Sequence, residues 1–146
     1  MKILILGAGF GGLELATVLS DGADEREPLA DAARAALDGH IALSSTLARS
    51  GRFPAIDILA STSRTMDDVV TAEHRAAAAT VRAALARLHE TADLRSLGFA
   101  DASDEALARA TAAEPELRAF LEQRGPASPD ETMERLAALA ANLDPQ

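Results

Sequence analysis

Three stretches of the chain carry residue types that could do chemistry. The first is Gly7-x-Gly9-x-x-Gly12, which follows the apolar run Ile3 to Leu6. In a strand-turn-helix setting the first glycine makes a tight turn and the second admits a pyrophosphate against the backbone. The third lets the helix pack closely, with the phosphates at its N-terminus. The second stretch is Leu37 to Arg64, LDGHIALSSTLARSGRFPAIDILASTSR. It joins an Asp38-Gly39 turn, a strand signal at Ile41 to Leu43, a short polar helix stopped by Gly51 and an aromatic before proline at Phe53-Pro54. A second apolar run at Ile56, Ile58 and Leu59 then leads to a hydroxyl-rich turn, Ser61-Thr62-Ser63, that ends in Arg64. Such alternation suits the edge of a parallel α/β core, where loops at strand ends carry ligand contacts. The face of Phe53 suits a purine, and Pro54 stiffens the loop that presents it; packing of Phe53 in a core is the alternative. The third stretch is the acidic set Asp101, Asp104 and Glu105, which would also complement a helix macrodipole.

Other chemistries are excluded or weakly supported. With no cysteine among 146 residues there is no disulfide framework, thiolate metal site or thiol nucleophile. His74 and His89 sit fifteen positions apart on one predicted helix, more than about 20 Å along its axis, and His40 lies elsewhere, so no metal set forms. Lys2 is the only lysine. A G-x-x-x-x-G-K-[ST] loop needs a lysine after its second glycine, so these residues contain no P-loop. The formal charge of −9 argues against a nucleic-acid surface. No run of about 20 apolar residues predicts a transmembrane segment.

Ser20 to Pro28 is an acidic loop where a dinucleotide fold would place its second strand. Asp31 falls in the helical pattern PLADAARAAL with Leu29, Ala32, Ala33, Ala36 and Leu37. After Arg64 the chain is helical. Thr71 caps a long amphipathic helix with Ala77, Val81, Ala84, Leu85, Leu88 and Ala92, running toward Leu97 and stopped by Gly98. Ser103 caps a short helix with Leu107 and Ala110 inward, and Pro115 opens another with Leu117, Phe120 and Leu121. Ser128-Pro129-Asp130-Glu131 is a capping box before a last helix with Met133, Leu136, Ala137 and Ala140 inside. The expected fold is mainly α with a small α/β N-terminal part and a C-terminal antiparallel helical bundle. The division falls between a partial α/β segment, residues 1–65, and the bundle, residues 66–146.

Two resemblances sharpen this. MKILILGAGFGGLELATVL, Met1 to Leu19, resembles the N-terminus of flavin-dependent pyridine-nucleotide oxidoreductases. That implies FAD or NAD(P) bound through Gly7, Gly9 and Gly12. From about Thr17 the chain resembles the end of the catalytic domain of flagellar and type III secretion export ATPases, relatives of the F-type ATP synthase β subunit. The phrases LDGHI-x-LS and PAID-x-LASTSR carry it, and it continues through the helical C-terminal part. The two disagree at Thr17, Val18 and Leu19, a strand in the export ATPases and a helix end in the dinucleotide motif; the spacing Leu15, Ala16, Leu19 favours helix.

The export-ATPase resemblance implies a hexameric ring with nucleotide between subunits. It places Arg64 at the position of the arginine offered to a neighbour's phosphoryl group, Phe53 at an adenine-stacking position and Asp101, Asp104 and Glu105 in a segment contacting a central stalk. Ser45 departs from the pattern, which has arginine after LS. The expectation is a truncated or hybrid cytoplasmic export ATPase, C-terminal portion, not hydrolytic alone. It would take ATP and Mg2+ only when assembled with complete subunits, and would bind a stalk protein but no nucleic acid. An FAD- or NAD(P)-binding oxidoreductase fragment and a non-functional hybrid helical protein stand as alternatives.

Overall fold

The structure, a computed structural model, describes residues 3–4, 34–99, 103–122 and 125–144. It divides into two compact units, Met1–Val69 and Val70–Gln146.

The first unit holds strands β1 (Ile3–Leu4), β2 (Gly39–Leu43) and β3 (Ile56–Ser63), with the short helices α1 (Ser45–Arg49) and α2 (Met66–Val69). The sheet order is β1-β2-β3, and both pairings are antiparallel. This corrects the expected parallel arrangement. A parallel return needs a crossover that runs the length of the strands. Helix α1 has five residues, about 7 Å at 1.5 Å per residue, against about 16 Å for five residues of strand. The chain therefore comes back along its own side. Helix α1 is closed by local chemistry. The Ser44 hydroxyl accepts from Leu47 N–H at 3.3 Å, and Gly51 adopts φ 77°. Gly51 N–H then reaches Ala48 O and Arg52 N–H reaches Leu47 O, both at 3.0 Å, the paired bonds of a left-handed glycine stop.

The second unit is a bundle of α3 (Ala72–Glu90), α4 (Ala92–Ser96), α5 (Glu105–Leu121) and α6 (Pro129–Leu143). Its core joins Val81 and Leu88 of α3, Leu107, Ala110, Ala113 and Leu117 of α5, and Leu136, Leu139 and Leu143 of α6. Helices α5 and α6 run antiparallel. Arg109 Nε near the start of α5 donates to Leu143 O at the end of α6 at 3.0 Å. Farther along α5, Arg135 of α6 donates to Ala119 O at 3.1 Å and lies 5.4 Å from the Phe120 ring centroid.

The caps at Thr71 and Ser128 form as expected. Thr71 Oγ1 accepts from His74 N–H at 3.2 Å, and Ser128 and Glu131 make the reciprocal capping box. Four expectations need correction. The long helix breaks at Thr91, whose hydroxyl donates to Arg87 O at 2.7 Å before α4 resumes. Gly98, at φ 76°, then ends α4. Asp104 rather than Ser103 caps α5, accepting from Leu107 N–H at 2.9 Å. Pro115 does not begin a helix; it lies inside α5, because Leu107, Ala110, Ala113 and Leu117 present one continuous face to the core and that packing overrides the lost backbone bond. On α6, Leu139 and Leu143 are buried where Ala137 was expected, and Ala137 is exposed.

Candidate functional site

The residues that could touch a nucleotide flank the β2–β3 pair. The register places Gly39 opposite Ser63 and Leu43 opposite Ile56. These ends lie four β2 residues apart, about 14 Å. Phe53 stands beyond one end and Arg64 beyond the other, so the structure keeps them apart rather than bringing them together.

At the Arg64 end, the backbone geometry explains Asp38-Gly39. Gly39 is the first residue of β2 and not part of a tight turn, which corrects the expectation from sequence. A Cβ there would sit 2.7 Å from Thr62 O and 3.1 Å from Ser63 Cα. Glycine is required by close approach of the two backbones rather than by an unusual φ. Asp38 O accepts Arg64 N–H at 2.7 Å, fixing the first residue past β3. The Arg64 side chain is exposed, and its Nη1 donates to Ala35 O at 3.1 Å. Ser61, Thr62 and Ser63 belong to β3 and not to a turn; the Ser61 hydroxyl bonds Asp57 O and Ala42 N–H, and the Ser63 hydroxyl lies 3.5 Å from Thr65 Oγ1. A guanidinium has further donors in a planar fork that suits phosphate oxygens.

At the other end, Phe53 is 58% exposed, so it is not a core aromatic. It follows the glycine stop of α1 and precedes a cis peptide bond to Pro54. Ser45 takes the first position of α1, with Ser44 as cap.

Between the ends, the ladder is interrupted. His40 pairs with Thr62 but Ala42 pairs with Asp57, so two steps along β2 span five along β3. Side chains bridge the interruption. Ser61 Oγ donates to Asp57 O and accepts Ala42 N–H at 3.0 Å. Asp57 Oδ1 accepts Leu59 N–H and Ala60 N–H, each at 3.0 Å. His40 Nε2 lies 3.0 Å from Ala60 O. A carbonyl oxygen only accepts, so this contact puts the ring proton on Nε2. His40 Nδ1 is buried with no partner among the described residues. The apolar pattern signalled both strands, but nothing in it signalled this bulge; the polar Asp57 and Ser61 within a strand run were the available hint.

Of the acidic set, Asp101 lies outside the described residues. Asp104 is occupied, capping α5 and holding Arg87 Nη1 at 2.7 Å. Glu105 is exposed and 3.7 Å from Arg109. Gly7, Gly9 and Gly12, and the disputed Thr17 to Leu19, lie outside the described residues. No cluster of three or more metal-ligating side chains occurs among the described residues, and none of their helices is long and apolar enough to cross a membrane.

Two family models match the chain in tandem. Residues 14–63 match the nucleotide-binding domain of the ATP synthase alpha/beta family, and residues 70–138 match the C-terminal domain of the type III secretion ATPase EscN. The chain resembles the C-terminal part of the flagellar and type III secretion export ATPases. The flagellum-specific ATP synthase of Salmonella typhimurium is 46% identical over 108 residues, covering 73% of this chain and 24% of that protein. The flagellum-specific ATP synthase of Pseudomonas aeruginosa is 44% identical over 128 residues, covering 86% and 28%. Among solved structures, the assembled ATPase EscN of the enteropathogenic E. coli type III secretion system superposes with TM-score 0.76 at 34% identity, covering 81% of this chain and 29% of that one. EscN in complex with its central stalk EscO gives TM-score 0.73 at 35% identity, covering 79% and 29%. The chain thus spans under a third of the length of these export ATPases. The nucleotide-binding match starts at Glu14, three residues before the boundary expected at Thr17 and after all three glycines of the Gly-rich motif.

Proposed function

We propose that these residues form the C-terminal portion of a protein-export ATPase subunit that completes a neighbouring subunit's ATP site through Arg64 and does not hydrolyse ATP alone. The observation that carries this is the placement of Arg64: exposed, just past β3, with its backbone bonded to Asp38 O at 2.7 Å. A guanidinium held this way can stabilise charge on a transferring phosphoryl group without reorganising during the reaction. Phe53 offers an open aromatic face to an adenine. Because Phe53 and Arg64 lie beyond opposite ends of the paired strands, they serve different nucleotides, one on each side of a subunit in a ring.

With a complete subunit as neighbour, ATP and Mg2+ are the ligands this arrangement calls for, since the phosphate-cradling lysine loop is not among these residues. Dinucleotide binding on Gly7, Gly9 and Gly12 is the competing assignment, and a flavin absorbance spectrum in the purified chain would favour it. The assembly proposed is an oligomer with export-ATPase subunits at the cytoplasmic face of a secretion gate, with Glu105 available to a central stalk. The test uses a full-length export ATPase whose own arginine at the equivalent position is replaced by alanine. Adding this chain should restore Mg-ATP hydrolysis, and adding its Arg64→Ala form should not. Hydrolysis by the chain alone, abolished by Arg64→Ala, would overturn the proposal.

A further inference from the structure

The interruption between His40 and Ala42 does more than kink a strand. If the Gly39–Ser63 and His40–Thr62 pairings continued as a regular ladder, Ala42 would face Ala60. It faces Asp57 instead, with three residues of β3 surplus. A bulge of this size survives only if its displaced backbone groups find partners. Here side chains provide them. The Ser61 hydroxyl replaces a ladder bond by linking Ala42 N–H to Asp57 O. The Asp57 carboxylate gathers the N–H groups of Leu59 and Ala60, and His40 fastens Ala60 O from the opposite strand.

We infer that His40, Asp57 and Ser61 form a clasp that fixes the β2–β3 register and so sets the distance between Phe53 and Arg64. A regular ladder would straighten the surplus residues into β3 and carry the Phe53 end away from the Arg64 end by three residues, about 10 Å. Ser61 is on this account a positioning residue: it touches no ligand and acts through the strand that carries Arg64. That Arg64 serves an ATP site rests on the function proposed above; the register itself does not.

The chain has no cysteine, so Arg52→Cys with Thr65→Cys provides two unique sites for spin labels flanking the strand pair. Both positions are exposed. In the otherwise unchanged chain, dipolar spectroscopy should give one narrow distance. Ser61→Ala combined with Asp57→Ala should lengthen it, by up to about 10 Å, or broaden it toward longer values. Ser61→Thr, which keeps the hydroxyl, should retain the original distance. Deleting residues 58–60 should retain it as well, because the shortened strand pairs regularly with the same ends in register. The deletion also guards against a variant that merely unfolds. An unchanged distance in the Ser61, Asp57 double variant, or a lengthened one in the deletion, overturns the clasp. In rings formed with the arginine-deficient ATPase, Ser61→Ala should lower kcat about tenfold with KM for Mg-ATP unchanged, and Ser61→Thr should recover it. A lengthened distance with unaltered kcat overturns the positioning role. Failure of the unchanged chain to stimulate hydrolysis refutes the ATP-site proposal, and the label distances still decide the clasp.

Discussion

Gly39 shows how a single residue sets where Arg64 stands. Its Cα hydrogen points at a backbone carbonyl, with no room for a methyl group. Gly39→Ala must push β2 and β3 apart at the end where Asp38 O holds Arg64 N–H. Overpacking against backbone costs about 1–3 kcal/mol, and amide exchange at Arg64 and Thr62 should rise by one to two orders of magnitude on the order of that cost. Unaltered protection at both amides would show that the strands have slack the structure does not suggest. Phe53 provides the complementary case. It lies beyond the far end of the strand pair, so Phe53→Ala should leave Arg64-dependent stimulation of a neighbouring subunit intact within about twofold, where Arg64→Ala removes about 10³-fold or more of the arginine's effect. Equal losses from both would mean that they contact one nucleotide.

At the scale of elements, what the sequence made legible was local. Thr71, Ser128 with Glu131, Gly51 and Gly98 each act within one turn of helix, so their residue types announce the boundaries that form. What it hid depended on distant partners. Pro115 reads as a helix start, yet α5 runs through it because Ala113 and Leu117 on either side are held by α3 and α6. The antiparallel direction of β3 and its bulge depend on pairing with β2, which the apolar pattern of either strand alone does not encode. Arg64 and Phe53 are candidates because of the surrounding phrases, whereas the contacts of His40, Asp57 and Ser61 follow only from the register. Pro115→Ala should restore the backbone bond to Thr111 and raise stability by about 1–3 kcal/mol, seen as a higher Tm of the helical signal. A lower Tm would mean that the proline ring packs productively. At the start of α3, a backbone hydrogen bond first, and the Thr71 hydroxyl second, hold Glu73 below the ordinary carboxylate range. A depressed folded pKa means that this stabilisation is present above the unfolded value and is lost as pH falls through the folded one. Thr71→Ala should cost about 1 kcal/mol near neutral pH, with a smaller penalty once Glu73 is protonated. Because Glu73 is fully exposed, the pH-dependent part is best read by titrating its carboxyl resonance, which should move upward in Thr71→Ala.

For the whole molecule, the hydrophobic core found among the described residues belongs to the helical unit. Every member of the main hydrophobic cluster lies in Val70–Gln146, whereas Ala42 is the one buried apolar residue among the described residues of Met1–Val69. Burial of apolar surface is the dominant favourable term in folding. The helical unit therefore carries a core of its own, and Ile41, Ile56, Ile58 and Leu59 of the strand pair are half-buried. Residues 70–146 expressed alone should melt cooperatively with the helical signal of the full chain. Leu117→Ala should lower that transition by about 2–5 kcal/mol, since its side chain is 1% exposed at the junction of the bundle. If the proposed assembly forms, the β2–β3 amides should exchange more slowly once an export-ATPase subunit is added to the full chain. That last change ties stability to the proposed assembly, because a surface that binds the folded state shifts its equilibrium in proportion to affinity. Unchanged β2–β3 exchange in the presence of excess export-ATPase subunit would count against the proposed assembly.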